Sequence, residues 1–229
     1  MIEGRRVRLA SYNLRDLLDD RVAAARVVRA IQPDVLCLQE VPRRLTTEFC
    51  LPAFARACGL YWAGGRRGSG GTAILTALRV HTHRAVTRRL TVRFPDRTRG
   101  YAAQLLSVPG AQPLWVASVH LGLRADERER HLAEVLAGVS HPAVVAGDLN
   151  EGATGAAWAR LAAAYRKVSG EHPTFPADHP TSALDVIFAS PEVSTTPVDP
   201  VVHPLHEDLV AASDHRPCWA DLILPVARP

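Results

Sequence analysis

Apolar positions come in short runs along this chain, and the period within each run points to an element. Val7 to Tyr12 alternates towards a strand that exits at Asn13, whereas Arg21 to Ile31 repeats Val22, Ala25, Val28 and Ile31 at helical spacing. Pro33 and Asp34 stop that helix, and Val35-Leu36-Cys37-Leu38 reads as a fully buried strand ending at Gln39-Glu40. Thr46 to Ala57 is helical again, and Gly64 to Gly71 is a flexible loop. Thr72 to Thr76, Val80 to Val92, Tyr101 to Val108 and Leu114 to Val119 read as successive strands, the last ending at His120. Glu127 to Gly138 is a helix, Ala143 to Ala146 a buried strand running into Gly147-Asp148-Leu149-Asn150, and Gly155 to Ala164 a short helix. The Pro- and His-rich stretch from His172 to Pro180 is loop, and Leu184 to Ala189 and Pro217 to Leu224 supply the last strands.

No linker or composition shift divides the chain, so residues 1–229 are expected to form one domain. Two strand-rich halves, each with helices attached, predict an α/β fold of two packed sheets flanked by helices. The informative regularity is where polar residues fall. Asn13, Glu40, His120, Asp148 and Asn150 each sit at the C-terminal end of an apolar run, and strand ends are rigid platforms for fixed side-chain geometry.

Composition narrows the function classes only a little. A 47% hydrophobic content supports an ordinary core without disulfides or a structural metal. The net charge of +4 permits a polyanionic partner, but Lys167 is the only lysine, so an arginine-biased coding composition accounts for the charge equally well. The charge does cluster: Arg79, Arg84, Arg88, Arg89, Arg93, Arg97 and Arg99 lie in one segment with His81 and His83. Five of them (Arg79, Arg89, Arg93, Arg97, Arg99) share odd parity, and a bulge can realign Arg84 and Arg88. Such a ribbon either tracks a nucleic-acid backbone or is a solvated hairpin face. Cys37, Cys50, Cys58 and Cys218 have no zinc-ribbon spacing and are expected as free, mostly buried thiols. No apolar stretch is long enough for a membrane span, and the start lacks a secretory apolar core. A reduced, cytoplasmic monomer without a membrane partner is the expectation.

Several short motifs carry candidate chemistry, and singly each has a plainer explanation. In extended backbone, Asp148 and Asn150 share a face while Leu149 points away, yet Gly147-Asp148-Leu149-Asn150 is also good turn sequence. Glu40 is either a solvated strand end or a ligand for a hard cation, which prefers carboxylate oxygen. Asp214-His215 puts a carboxylate beside an imidazole suited to proton transfer near neutral pH, or is a surface turn. Asp185, heading the apolar strand Val186-Ile187-Phe188, is costly to bury without a partner such as a histidine. His120 is either a site imidazole or a satisfied edge histidine.

Taken together, the ordered series Ser11-Tyr12-Asn13, Leu38-Gln39-Glu40, Val119-His120-Leu121, Gly147-Asp148-Leu149-Asn150, Leu184-Asp185-Val186-Ile187-Phe188 and Ser213-Asp214-His215-Arg216-Pro217 closely resembles the endonuclease/exonuclease/phosphatase family. Gly70-Gly71-Thr72-Ala73-Ile74-Leu75 is similar to a further strand of that family. The resemblance, which includes DNase I-like and exonuclease III-like proteins, spans nearly the whole chain. It implies a four-layered α/β sandwich (DNase I-like) with two central mixed sheets flanked by helices. It also implies Mg²⁺ or Mn²⁺ held chiefly by Glu40, with Asn13 and Asp214 assisting. Asp148 would deprotonate the attacking water and Asn150 position it. His215, paired with Asp185, would contact the scissile phosphate, His120 would add a second imidazole, and Arg99 would bind phosphate.

The match has departures. Arg15 stands where exonuclease III-like members carry an acidic residue, which disfavours a close abasic-site repair enzyme. Ala183 replaces a basic residue common before the strand-heading aspartate, and Thr72 replaces a frequent asparagine. The expected activity is metal-dependent phosphodiester hydrolysis, with nucleic acid, DNA above all, as substrate. The alternatives are a phospholipid head group or small phosphomonoester, and a catalytically silent interaction module on the same fold. Aromatic residues are 6% of the chain and no loop concentrates them, which lowers the membrane alternative.

Overall fold

Alternation along the strands decides which side chains meet between the sheets. The computed structural model describes residues 4–42, 47–63, 68–197 and 203–227. In chain order these form β1 (Gly4–Asn13), a single 3₁₀ turn (Arg15–Leu17), α1 (Arg21–Ile31), β2 (Val35–Gln39), α2 (Thr47–Ala57) and β3 (Ala73–Thr76). Then come β4 (His81–Leu90), β5 (Arg99–Ser107), β6 (Leu114–His120), α3 (Ala125–Ala137), β7 (Ala143–Asp148) and α4 (Ala156–Ala164). The chain closes with β8 (Arg166–Lys167), β9 (Asp185–Ala189), β10 (Ser194–Thr196), α5 (His206–Ala212) and β11 (Cys218–Pro225). The expected helix start at Thr46 and the part of the glycine-rich loop from Gly64 to Arg67 lie outside the described residues.

Two mixed sheets result. One runs β10-β11-β1-β2-β3 and the other β4-β5-β6-β7-β9-β8. Each has one parallel pair, β1 with β2 and β6 with β7, among antiparallel neighbours. The inner faces meet in an apolar layer that includes Leu9, Cys37, Ile74, Val116, Val144, Ile187 and Leu222. The outer face of the first sheet packs Tyr12, Leu36 and Leu38 against α1 and α2, and that of the second packs Tyr101, Val119 and Val145 against α3 and α4. This is the four-layered sandwich that the motifs imply. Each fully buried Leu, Ile or Phe contributes about 1.5–3 kcal/mol, so these layers dominate the stability of the scaffold.

Helix α1 shows how local chemistry sets the limits. The Asp20 carboxylate caps it by accepting from Val22 N (2.8 Å) and Ala23 N (3.1 Å), and Gln32 ends it in a left-handed conformation (φ 53°) before Pro33. Four elements carry too weak a period to read from sequence: the 3₁₀ turn, the two-residue β8, the three-residue β10, and α5. The last is a seven-residue helix, held to α1 by Arg26 Nη2 donating to Asp208 Oδ1 (2.5 Å).

Candidate active site

The inward alternation of four strands delivers the polar residues to one end of the sandwich. Along β6 the inner face reads Leu114, Val116, Ser118, His120, and along β1 it reads Val7, Leu9, Ser11, Asn13. In β7 the same face carries Val144, Ala146 and Asp148, and in β9 Asp185, Ile187 and Ala189. The space between the sheets therefore passes from apolar, through hydroxyl and amide, to ionisable. The middle layer is bonded across the gap. Ser11 Oγ donates to Gln39 Oε1 (3.3 Å), Gln39 Nε2 to Ser118 Oγ (3.1 Å), and Ser118 Oγ to Leu38 O (2.9 Å). Buried groups paired in this way fix the separation of the sheets, and hence the geometry of the layer above them.

Asp148 lies at the centre of the ionisable layer. Its Oδ2 accepts from Asn13 Nδ2 (3.1 Å) across the sheets, and its Oδ1 accepts from Asn150 N (2.8 Å). His120 Nε2 is 3.5 Å from Asp148 Oδ2 and 3.9 Å from Glu40 Oε1, while His215 Nε2 is 4.0 Å from Asp148 Oδ2. Burial, then the negative charge of Asp185, raises the Asp148 pKa well above the usual carboxylate range. For His215, burial alone would lower the pKa, but the charge and hydrogen bond of Asp185, with Asp148 and Asp214, outweigh it and bring the ring to about 9.

Asp185 is the anchor of the histidine. Its Oδ2 lies 2.7 Å from His215 Nδ1 and also accepts from Thr174 Oγ1 (2.7 Å). The Thr174 hydroxyl in turn accepts from Asp185 N (3.2 Å) and Leu184 N (3.3 Å), and the Phe175 ring sits 4.8 Å from the His215 ring. The loop from His172 to Pro180 thus supplies an orienting group. Nothing in its composition marked Thr174, because the contact depends on the loop folding back over residues 213–216. That return is pinned by Arg216 N donating to Thr174 O (2.7 Å) and Ala177 N to Asp214 O (2.7 Å).

Asn150 reaches the site differently from the extended geometry expected. β7 ends at Asp148, and Asn150 sits in the left-handed region (φ 53°), which asparagine tolerates well. Its side chain is held by Nδ2 donating to Leu121 O (2.9 Å), which leaves Oδ1 as the acceptor. The motif is therefore both a turn and a site loop.

Glu40 also has positive φ (47°), just beyond β2, and projects to the rim, its side chain 17% exposed. Its Oε2 is 3.6 Å from Arg97 Nη1, which also lies 3.3 Å from Asp16 Oδ2. Asp214 faces the rim as well, with Oδ2 3.5 Å from Arg15 Nε. Asn13 is more inward than a rim ligand, its Oδ1 accepting from Arg15 N (3.1 Å) and its amide bonded to Asp148. Among the described residues, the three ionisable side chains with donor atoms within 4.8 Å of one another are Asp148, Asp185 and His215. Within this trio His215 Nδ1 is already bonded to Asp185 Oδ2 (2.7 Å), and His215 Nε2 faces Asp148 Oδ2 at 4.0 Å, an arrangement suited to handling protons. Glu40, with Asp214 beyond it, offers hard carboxylate oxygens at an open rim. That donor set fits Mg²⁺ or Mn²⁺, which keep several waters and take one or two protein carboxylates.

Arg99, expected to bind phosphate, is 5% exposed at the start of β5, and its Nε donates to Leu121 O (2.9 Å). The described arginines of the arginine-rich segment are dispersed. Arg79 pairs with Asp34 (Nη2 to Oδ2, 2.7 Å), before the start of β2 and so at the end opposite Glu40. A register shift between Thr82 and Arg84 in β4 puts Arg84 over the Trp115 ring, on the helix-covered face of the second sheet. Arg93 pairs with Asp126. Of the seven arginines, Arg97 is the one whose guanidinium lies beside a candidate site carboxylate among the described contacts. Parity could not have singled it out, because the segment from Thr91 to Thr98 is not a strand.

The profile of the endonuclease/exonuclease/phosphatase family matches residues 10–215. Among solved structures, an endonuclease/exonuclease/phosphatase protein from Beutenbergia cavernae is similar, with 22% identity and a TM-score of 0.72 over 96% of this chain and 72% of that one. One from Bacteroides vulgatus has 17% identity and a TM-score of 0.76 over 96% and 99% of the two chains. The human nocturnin catalytic domain has 19% identity and a TM-score of 0.65 over 98% and 96%. No curated protein matches the chain.

Proposed function

The chain belongs to the endonuclease/exonuclease/phosphatase family of phosphoester hydrolases, and on that premise we propose that it is a divalent-metal-dependent hydrolase whose reaction runs at the Asp148 cluster. The observation that carries this is the convergence of Asp148, Asp185, His120 and His215 from three adjacent strands and the segment before β11 into one buried layer beneath the rim carboxylate Glu40.

Hydrolysis of a phosphate ester needs an oriented water, a proton acceptor, and neutralisation of charge on the phosphoryl and leaving oxygens. Asp148 is the acceptor: both its oxygens are held by hydrogen bonds, and its raised pKa matches proton abstraction near neutral pH. Asn150, anchored through Nδ2, presents Oδ1 to the same water. His215 is held through Nδ1 by Asp185 and stays protonated well above neutrality, so Nε2 donates to a phosphate or leaving oxygen. His120 adds a second imidazole between Glu40 and Asp148. A Mg²⁺ or Mn²⁺ at Glu40, assisted by Asp214 and with Asn13 behind them, supplies Lewis acidity toward a phosphoryl oxygen when bound.

For the substrate, nucleic acid remains our proposal, with a small footprint. Among the described arginines, Arg97 and Arg15 stand beside Glu40 and Asp214, which suits contacts to one or two phosphates near a strand end or in a short single strand. The scatter of the other arginines favours a second proposal, a small phosphoester, over a long duplex. A panel of plasmid, abasic duplex, RNA, short oligonucleotide, p-nitrophenyl phosphate, phosphoinositide and sphingomyelin tests both. Preferential cleavage of plasmid or duplex would overturn the small footprint, and hydrolysis confined to the lipids would overturn both substrate proposals.

A further inference from the structure

Two arginines two residues apart, Arg97 and Arg99, stand at the same corner of the site in opposite states. Arg97 is exposed, and its guanidinium reaches Glu40 and Asp16. Arg99 is buried, with Nε donating to Leu121 O and Nη1 3.5 Å from Arg97 O. The Leu121 carbonyl is shared, since it also accepts Asn150 Nδ2 (2.9 Å). The Leu121 amide is committed as well, donating to Asp148 O (3.0 Å). The main chain of one residue, Leu121, thus joins the buried arginine, the Asn150 side chain and the main chain of Asp148.

We infer that the two arginines divide the work: Arg97 contacts substrate phosphate, and Arg99 is a positioning residue that acts on Asn150 through the Leu121 carbonyl. This rests on the hydrolase proposal above. A buried guanidinium gives the carbonyl a charge-assisted partner, and a carbonyl with two lone pairs can hold both donors in fixed directions. That fixes the amide of Asn150, whose left-handed backbone would otherwise leave its side chain several rotamers. The backbone of Arg99 is itself clamped, because a Cβ on Gly70 (φ +65°) would fall 2.1 Å from Arg99 O. Glycine there lets the loop before β3 close onto β5, and Gly71 O accepts from Val41 N (2.9 Å) beside Glu40. Exposed Arg97 meets Asp16 (3.3 Å) and Glu40 (3.6 Å) at the rim and can exchange these carboxylate partners for a phosphate.

The test separates binding from turnover with methyl p-nitrophenyl phosphate as substrate and inorganic phosphate as the binding probe. Arg97→Ser should raise KM and the phosphate Kd about tenfold and lower kcat much less. Arg99→Lys should lower kcat about tenfold or more and leave the phosphate Kd within about twofold, because small misplacements of a positioned group are costly. In an Asn150→Ala background, Arg99→Lys should cost little further, whereas Arg97→Ser should still weaken phosphate. Arg99→Met, checked by circular dichroism, repeats the comparison without the positive charge. A weaker phosphate Kd in Arg99→Lys, or full additivity with Asn150→Ala, overturns the inference. Should the wild-type protein turn over no phosphoester, the hydrolase proposal fails, and the phosphate titrations alone still decide which arginine meets the anion.

Discussion

His215 Nδ1 lies 2.7 Å from Asp185 Oδ2, although 30 residues separate them in the chain. The contact is buried, and Thr174 Oγ1 donates to the same carboxylate oxygen, so the ring is fixed by a chain of three side chains. Residues that act as one unit are not additive when removed. His215→Ala and Asp185→Asn should each reduce kcat by about 10²–10⁴-fold, and the double variant should be little worse than His215→Ala. Thr174→Val should cost less than either. Multiplicative losses in the double variant would contradict the pairing in function.

The two shifted groups set a pH window. The working form has Asp148 ionised and His215 protonated. Activity should therefore rise as pH passes the raised Asp148 value and fall as His215 loses its proton near about 9. Asp185→Asn removes the charge and hydrogen bond that hold the ring protonated, so its alkaline limb should move to lower pH by about one unit or more. A pH–kcat profile of the variant with an unmoved alkaline limb would contradict the assignment of His215 as the acid.

Much of this site was legible because its residues obey strand alternation. Asn13, His120, Asp148 and Asp185 occupy the inner-facing positions that continue the apolar faces of β1, β6, β7 and β9, and the order of their motifs along the chain locates them. Residues that reach the site by irregular backbone were less legible. Asn150 and Glu40 have positive φ, where a period of two says nothing about side-chain direction. Thr174 depends on a loop folding back, and Arg97 on the loop between β4 and β5. The arginine ribbon could not be placed from sequence, because charge clustering carries no information about which end of a sheet each residue occupies. Arg79, held at Asp34, shows this most plainly.

Glu40 projects carboxylate oxygens at the rim while Asp148 and Asp185 stay inside, so cation binding should depend on Glu40 first. Glu40→Gln keeps the shape and loses the charge. Titration with Mn²⁺ should show its affinity lowered about tenfold or more, with the secondary structure retained. Unchanged Mn²⁺ affinity would remove Glu40 from the ion site.

A small electrostatic footprint makes a separate prediction. Cleavage of a short single-stranded oligonucleotide should weaken with salt by a log–log slope of only about −1 to −2, the signature of one or two neutralised phosphates. Arg84→Ser should leave that slope unchanged, because its guanidinium lies over the Trp115 ring on the helix-covered face of the second sheet. A steeper slope that flattens in Arg84→Ser would restore the arginine track.

The central claim is that the Asp148 layer hydrolyses phosphate esters with a divalent cation. Hydrolysis of bis-p-nitrophenyl phosphate by the wild-type protein and by Asp148→Asn, each in Mg²⁺ or Mn²⁺ and again in EDTA, tests it most directly. Turnover by the wild type is expected only with the metal, and a loss of at least about 10²-fold in Asp148→Asn with the fold intact. Equal turnover in EDTA, or a fully active Asp148→Asn, would contradict it.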